Sequence, residues 1–182
     1  MITLGGYEIR PIDADHFLND FTCGYDDNRL GDWLSNRAFE EDQKNLSRVW
    51  IMSEVATPGV PVGYFSLSEH LVLGSSLTKK LRDGISESRQ HPARLLGKFA
   101  LHVENQKRGL GRFLMLGAFQ AHLLANKYSA ARFLVLHVRN EPLIEYYKRY
   151  GFKLVNDSSS QENFMCIPTA VIKEIVDNIL AD

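Results

Sequence analysis

Two short apolar runs, separated by a glycine turn and a helical stripe, constrain this chain of 182 residues more than any other feature. The first run, Leu95-Leu96-Gly97-Lys98-Phe99-Ala100-Leu101-His102-Val103, is nearly all apolar and short, which predicts a central strand covered on both faces. After the turn Gln106-Lys107-Arg108-Gly109-Leu110-Gly111-Arg112, the residues Leu110, Phe113, Leu114, Gly117, Ala121 and Leu124 recur at helical spacing. Arg132-Phe133-Leu134-Val135-Leu136-His137-Val138 then predicts a second buried strand, with His137 as a core residue. Strand, helix and strand in this order make one parallel crossover at the centre of the fold.

The elements around that crossover alternate differently. Tyr7-Glu8-Ile9-Arg10-Pro11 reads as a short strand stopped by proline. Asn28 to Gln43 carries Leu30, Trp33, Leu34 and Ala38 at helical spacing, an amphipathic helix. Arg48–Ser53 and Val62–Leu67 flank the turn Thr57-Pro58-Gly59-Val60-Pro61 and form a hairpin. Gly74 to His91 has no strong period and reads as a loop, helical in part. Downstream, Asn140-Glu141-Pro142 opens a helix that runs to about Tyr150 and stops at Gly151. Phe152–Val155 and Phe164–Ile167 are strands separated by a polar loop. Pro168 starts a last helix with Val171, Ile172, Ile175 and Ile179 on one face. Antiparallel hairpins followed by strand-helix-strand-helix-strand predict an α+β fold, with a mixed sheet that is mostly antiparallel.

At 45% hydrophobic and 24% charged residues, the chain has an ordinary globular composition, and its length favours a single domain over 1–182. No apolar run approaches the ~20 residues of a membrane span. Met1 to Gly6 lacks a basic region followed by an apolar one, so the expectation is a cytoplasmic protein without a membrane partner. Cys23 and Cys166 form no metal-ligand spacing with the six histidines, which predicts reduced thiols and no metal.

Charge is distributed unevenly. Between Lys79 and Arg112 stand nine basic residues (Lys79, Lys80, Arg82, Arg89, Arg94, Lys98, Lys107, Arg108, Arg112) against three acidic ones. That segment carries +6 and the remainder −7, for a total of −1. The asymmetry points to an anionic ligand near this segment, and the glycine turn offers a place for it. Strand, basic turn and helix N-terminus together bind phosphorylated groups through backbone N–H groups and the helix dipole. Gly109 and Gly111 let a backbone approach phosphate closely, and Gln106 can close the loop by hydrogen bonding. The turn is not a P-loop, since no GxxxxGK[ST] exists, and a dinucleotide fingerprint fails because Leu114 occupies the third glycine position.

A second candidate is Glu145-Tyr146-Tyr147-Lys148-Arg149-Tyr150-Gly151-Phe152. Tyr146 and Tyr147 lie about 100° apart on a helix and face different ways. One phenol buries, and the other can present a proton to a leaving group of high pKa.

These motifs resemble the GNAT N-acetyltransferase superfamily, whose pattern is Q/R-x-x-G-x-G/A, then helix and strand, then Asn, then F/Y-Y-x-x-x-G-F. Here it reads Gln106-x-x-Gly109-x-Gly111, Asn140 and Tyr146-Tyr147-x-x-x-Gly151-Phe152. In the N-terminal half, Phe21-Thr22-Cys23-Gly24, Leu30-Gly31-Asp32-Trp33-Leu34, Ala38, Ser47-Arg48 and Val62-Gly63-Tyr64-Phe65-Ser66-Leu67 are similar to a narrower branch. That branch holds the acetyltransferase toxins of bacterial toxin–antitoxin pairs, which acetylate the amino acid on charged tRNA. Leu30-Gly31-Asp32-Trp33 departs from LDxWL, by an extra residue or by glycine in place of the aspartate, and Val49 follows Arg48 where the branch has the threonine of SRT.

The resemblance implies a GNAT-like sheet and acetyl-CoA as co-substrate. The backbone of Phe99, Ala100 and Leu101 would pair with pantetheine. Gln106, Lys107, Arg108, Gly109, Leu110, Gly111 and Arg112 would hold the pyrophosphate. Asn140 would contact the cofactor, and Tyr147 would protonate the departing thiolate. Implied partners are aminoacyl-tRNA and a small antitoxin protein, with a homodimer left open. Two other readings stay open at this point: a GNAT acting on a small amine or protein N-terminus, and a non-catalytic CoA-binding or interaction module.

Overall fold

A computed structural model describes residues 1–24, 28–155 and 163–181. In chain order the strands are β1 (Ile2–Leu4), β2 (Tyr7–Pro11), β3 (Arg48–Glu54), β4 (Pro61–Leu73), β5 (Gln90–Leu101), β6 (Phe133–Val138), β7 (Lys153–Val155) and β8 (Asn163–Pro168). The helices are α1 (Arg29–Trp33), α2 (Phe39–Gln43), α3 (Lys79–Arg82), α4 (Gly111–Ala125), α5 (Glu141–Lys148) and α6 (Thr169–Ala181). The strands form one mixed sheet in the order β1-β2-β3-β4-β5-β6-β8-β7. β1–β2, β2–β3, β3–β4, β6–β8 and β7–β8 are antiparallel, and β5–β6 is parallel. This is the GNAT-like α+β architecture anticipated above, with α4 as the crossover helix.

Two compact units divide the chain, Met1–Ser68 with Gly97–Gln120 and Glu69–Leu96 with Ala121–Asp182. In the first, Phe21, Trp33, Leu34, Ala38, Val49, Ile51, Tyr64 and Ala100 build a core. The Trp33 and Tyr64 rings stack at 5.8 Å, and the Tyr64 hydroxyl donates to the Leu30 carbonyl at 2.7 Å. Of the residues that resemble the toxin branch, Phe21, Trp33, Leu34, Ala38 and Tyr64 lie in this core, with Cys23 and Leu30 packed against it. Arg48 serves the fold too: its guanidinium donates to the Asp42 carboxylate at 3.1 Å, while Asp42 Oδ1 accepts the Val49 N–H at 2.9 Å. In the second unit, Val72, Leu77, Leu81, Ala93, Phe133, Val135, Val155, Phe164 and Cys166 pack together.

Several expectations need correction. The helix over Asn28–Gln43 is interrupted by a π turn at Leu34–Ala38, which inserts a residue into the 3.6-residue period. The second hairpin strand runs on to Leu73, past the apolar stretch, as Glu69, Leu71 and Leu73 are exposed along β4. β1 adds a strand too short to show a pattern. The central strand spans Gln90–Leu101, and Val103 belongs to a 3-10 turn. Its C-terminal half is not covered on both faces: Gly97 is exposed, and Lys98, Phe99 and Leu101 are half-buried. Parallel pairing with β6 covers only Ala93–Leu95 against Phe133–Val135. Leu124 and Ile179 are exposed at the ends of their helices, and Ile172 and Val176 carry the buried face of α6. His137 is half-buried beside the Phe164 ring at 5.1 Å. The expected polar loop between β7 and β8 falls on 156–162, outside the described residues. Both cysteines are free thiols.

Candidate functional site

The glycine turn lies in the first unit, between the end of β5 and the start of α4. Lys107 (φ +59°) and Gly109 (φ +76°) both adopt left-handed backbone angles. At Gly109 a Cβ would meet nothing within 4 Å, so the backbone angle rather than crowding asks for glycine there. Left-handed residues on either side of Arg108 curl the chain and gather successive N–H groups on one side, a nest suited to an anion. Residues 106–110 form a turn, and among the described residues no backbone hydrogen bond of ordinary length and angle is donated by the N–H groups of Lys107, Arg108, Gly109, Leu110 and Gly111. Buried donors without partners are costly, so exposed ones at a helix start are suited to an anionic ligand.

The side chains reinforce this. Leu110 is buried and anchors the turn to α4. Lys107 and Arg108 are exposed, and Arg108 donates to Asn105 Oδ1 at 2.9 Å. The Arg112 guanidinium lies 4.7 Å from the Phe113 ring centroid. Gln106 is half-buried and turns inward: its Nε2 donates to the Cys23 carbonyl at 2.7 Å and to the Leu101 carbonyl at 3.1 Å. Along β5, Ala100 is buried while Phe99 and Leu101 remain half-buried. Gly63 makes room for this strand, since a Cβ there would stand 2.7 Å from Leu101 Cδ2 and 3.0 Å from the Ala100 carbonyl oxygen.

Asn140 and Tyr147 belong to the second unit, near the two ends of α5. Asn140 is the helix N-cap, and its Oδ1 accepts the Leu143 N–H at 3.2 Å. Its amide nitrogen is the group left for a ligand. The expected division, one tyrosine buried and Tyr147 presenting its proton, is not what the structure shows: Tyr147 is the buried tyrosine, 8% exposed, while Tyr146 and Tyr150 are half-buried. The Tyr147 ring packs against Phe152 at 5.7 Å and Tyr146 at 5.2 Å. Burial, with the neighbouring Tyr150 phenol adding to it, holds the Tyr147 hydroxyl well above the ordinary tyrosine range. The phenol is protonated at physiological pH and holds a proton to give, while its oxygen can also accept a hydrogen bond. The Tyr146 phenol is raised too, by burial and by its hydrogen bond with Tyr150.

The basic segment does not act as one patch. Arg94 is 3% exposed and fully engaged inside the second unit. It donates to Glu69 Oε1 at 3.0 Å, Asn126 Oδ1 at 2.9 Å, the His122 carbonyl at 3.2 Å and the Ser129 carbonyl at 3.3 Å. It also meets His122 Nδ1 at 3.3 Å; since Arg cannot accept, Nδ1 is the acceptor and His122 carries its proton on Nε2. That Nε2–H reaches Thr169 Oγ1 at 2.8 Å, whose hydroxyl donates to the Ala131 carbonyl at 2.7 Å. Arg82 pairs with Glu87. Among the described residues, no group of three or more His, Cys, Asp or Glu could hold a metal ion. Nor is any described helix long and apolar enough to cross a membrane.

No protein-family model matches the chain. Solved structures do. A tyrosine-to-phenylalanine variant of KacT superposes with a TM-score of 0.82 at 21% identity, covering 94% of this chain and 99% of that one. AtaT complexed with acetyl-methionyl-tRNAfMet gives 0.81 at 22% identity, over 93% and 98% of the two chains. A tyrosine-to-phenylalanine variant of the AtaT toxin, bound to acetyl-CoA and to the C-terminus of the antitoxin AtaR, gives 0.76 at 22% identity, over 94% and 98%. At this identity the likeness establishes the architecture: the chain has the GNAT-like fold shared with KacT and AtaT.

Proposed function

We propose that the chain is an acetyl-CoA-dependent N-acetyltransferase of the toxin type, one domain over 1–182, that acetylates the amino group of the amino acid on charged tRNA. The observation that carries the donor half is the left-handed turn from Lys107 to Gly111 at the N-terminus of a 15-residue helix; the N–H groups of that turn donate no well-formed backbone hydrogen bond among the described residues. They suit the diphosphate of CoA, with Lys107 and Arg108 adding charge. Phe99, Ala100 and Leu101 offer backbone to pantetheine, and the Asn140 amide nitrogen offers a further donor.

In the reaction the neutral α-amine attacks the thioester carbonyl, the C–N bond forms, and the C–S bond breaks. Tyr147 gives its proton to the departing thiolate, the ammonium proton passes to water, and solvent returns a proton to the Tyr147 phenolate. The acceptor half rests on the likeness, covering 98% of that chain, to AtaT complexed with acetyl-methionyl-tRNAfMet. A small antitoxin partner is proposed on the same ground, from AtaT bound to the C-terminus of AtaR. The site of action is the cytoplasm, where charged tRNA is found.

The test is transfer of labelled acetyl from acetyl-CoA to bulk aminoacyl-tRNA, run beside a panel of free amines and peptides. Label on the aminoacyl-tRNA, released as N-acetyl amino acid on deacylation, is the expected result. Label on free amines alone would assign the enzyme to another acceptor.

A further inference from the structure

Gln106 opens the phosphate-binding turn, yet both N–H groups of its side-chain amide are spent inside the protein. One faces the Cys23 carbonyl at 2.7 Å and the other the Leu101 carbonyl at 3.1 Å. What remains is Oε1, an acceptor that phosphate oxygens repel. We infer that Gln106 is a positioning residue of the donor loop, lacing it to the Phe21–Gly24 segment, and not a contact to the cofactor. The inference rests on the acetyl-CoA reading of that loop and reassigns one residue within it.

Other bonds run alongside the lace. The Val103 N–H donates to the Thr22 carbonyl at 2.7 Å, and the His102 ring packs on Phe21 at 5.5 Å. The segment is held from its far side by Asn28, whose Oδ1 accepts the Cys23 N–H at 3.0 Å. Gly31 is what admits this arrangement: a Cβ there would stand 2.3 Å from Asn28 Oδ1 and 2.6 Å from the Phe21 carbonyl oxygen. The glycine that departs from the LDxWL pattern is therefore a packing requirement of the same assembly. Residues 83 positions apart in sequence are joined by the Gln106–Cys23 bond, so the curl of the phosphate turn is set by the N-terminal half of the chain. Loosening the lace releases the turn without removing any N–H group that meets phosphate.

Cys23 reports on the lace directly, because its half-buried thiol belongs to the segment that Gln106 holds. Cys166 is buried, burial pushes its thiol up to about 12, and it reports global unfolding. The experiment measures maleimide modification of both thiols in ligand-free Q106M, Q106E and Q106R, together with acetyl-CoA kinetics. Methionine donates no hydrogen bond and a carboxylate repels both carbonyls, whereas a guanidinium can donate to both. Loss of two part-buried hydrogen bonds predicts roughly tenfold faster Cys23 modification in Q106M and Q106E, with Cys166 silent and Q106R near wild type. The KM for acetyl-CoA rises roughly tenfold in Q106M and Q106E while kcat stays within about twofold.

Unchanged Cys23 modification in both variants, alongside weaker acetyl-CoA use, would overturn the inference and make Gln106 a ligand contact. Should Q106M and Q106E both expose Cys166, Q106R decides: a wild-type Cys23 rate supports the lace and a raised one refutes it. If the wild-type protein binds no acetyl-CoA, the acetyltransferase reading falls while the Cys23 rates still judge the lace.

Discussion

The donor turn and the Arg94 cluster draw on the same basic stretch of sequence and use it in opposite ways. Around Lys107 to Gly111 the cations Lys107 and Arg108 are exposed, and among the described residues the backbone N–H groups donate no well-formed backbone hydrogen bond. Around Arg94 one cation is buried among His122, Asn126, Ser129 and Glu69, with every direction of its fork answered. A positive tally in sequence thus divides into charge for a ligand and charge for the fold, and pairing rather than sign separates the two. The first region depends on what arrives from solution. The second holds the end of α4, the Ser129–Ala131 loop and the start of α6 in place whether or not a ligand is bound.

The sharpest way to break this contrast is chemical. Tyr147→Phe removes the proton proposed for the thiolate and should lower turnover by about 10²-fold or more, with acetyl-CoA affinity unchanged by calorimetry. Equal turnover would assign the proton to another group. Next in size, Arg94→Met strips the cluster of its centre and leaves the His122 and Ser129 carbonyls and Asn126 Oδ1 short of donors. Urea unfolding should show a loss of about 3 kcal/mol, with acetyl-CoA affinity of the folded protein preserved. Gly109→Ala acts the other way: the left-handed angle at φ +76° disfavours a Cβ, so affinity for acetyl-CoA should fall by about tenfold. A drop in stability with no change in affinity would make that glycine a turn former only.

The smallest effect is in pH. Burial, then the charge of Arg94, lowers His122 to about 3 from its ordinary 6.5. The unfolded chain therefore takes up a proton that the folded chain refuses. The stability this histidine contributes is fully present above pH 6.5 and is lost as pH falls toward 3. The loss amounts to at most about 1.4 kcal/mol per pH unit. His16, lowered to about 4 chiefly by burial, adds in the same direction. Comparing wild type with His122→Gln in urea titrations between pH 7 and 4 isolates the His122 share as a shallower slope, on the order of that limit.

Much of the architecture was legible because apolar period and glycine placement are local signals. The crossover from β5 through α4 to β6, the proline-opened α5 and the strands β7 and β8 all follow from runs of a few residues. The turn at Gly109 was legible for the same reason, since a left-handed angle writes itself as glycine. What could not be read is non-local. Arg94 counts as free charge until the chain returns His122 to it, 28 residues later, and Thr169 to His122 after a further 47. That Gln106 closes the turn by hydrogen bonding could be read, but not that its partner is the Cys23 carbonyl, 83 residues away. The π turn at Leu34–Ala38 keeps Leu34 and Ala38 buried, so the apolar pattern hardly registers it. The exposed half of β5 was missed because Phe99 and Leu101 are apolar there, where an incoming cofactor rather than protein is proposed to cover them.

The central claim is that the N–H groups of the Lys107–Gly111 turn hold the diphosphate of acetyl-CoA. It is tested most directly by calorimetry with acetyl-CoA beside acetyl-pantetheine, which carries the same thioester and arm without the diphosphate and the adenosine 3′-phosphate beyond it, and beside adenosine 3′-phosphate as the control for that second part. The account predicts measurable binding of acetyl-CoA and roughly hundredfold weaker binding of acetyl-pantetheine. Equal affinity for the two would contradict it.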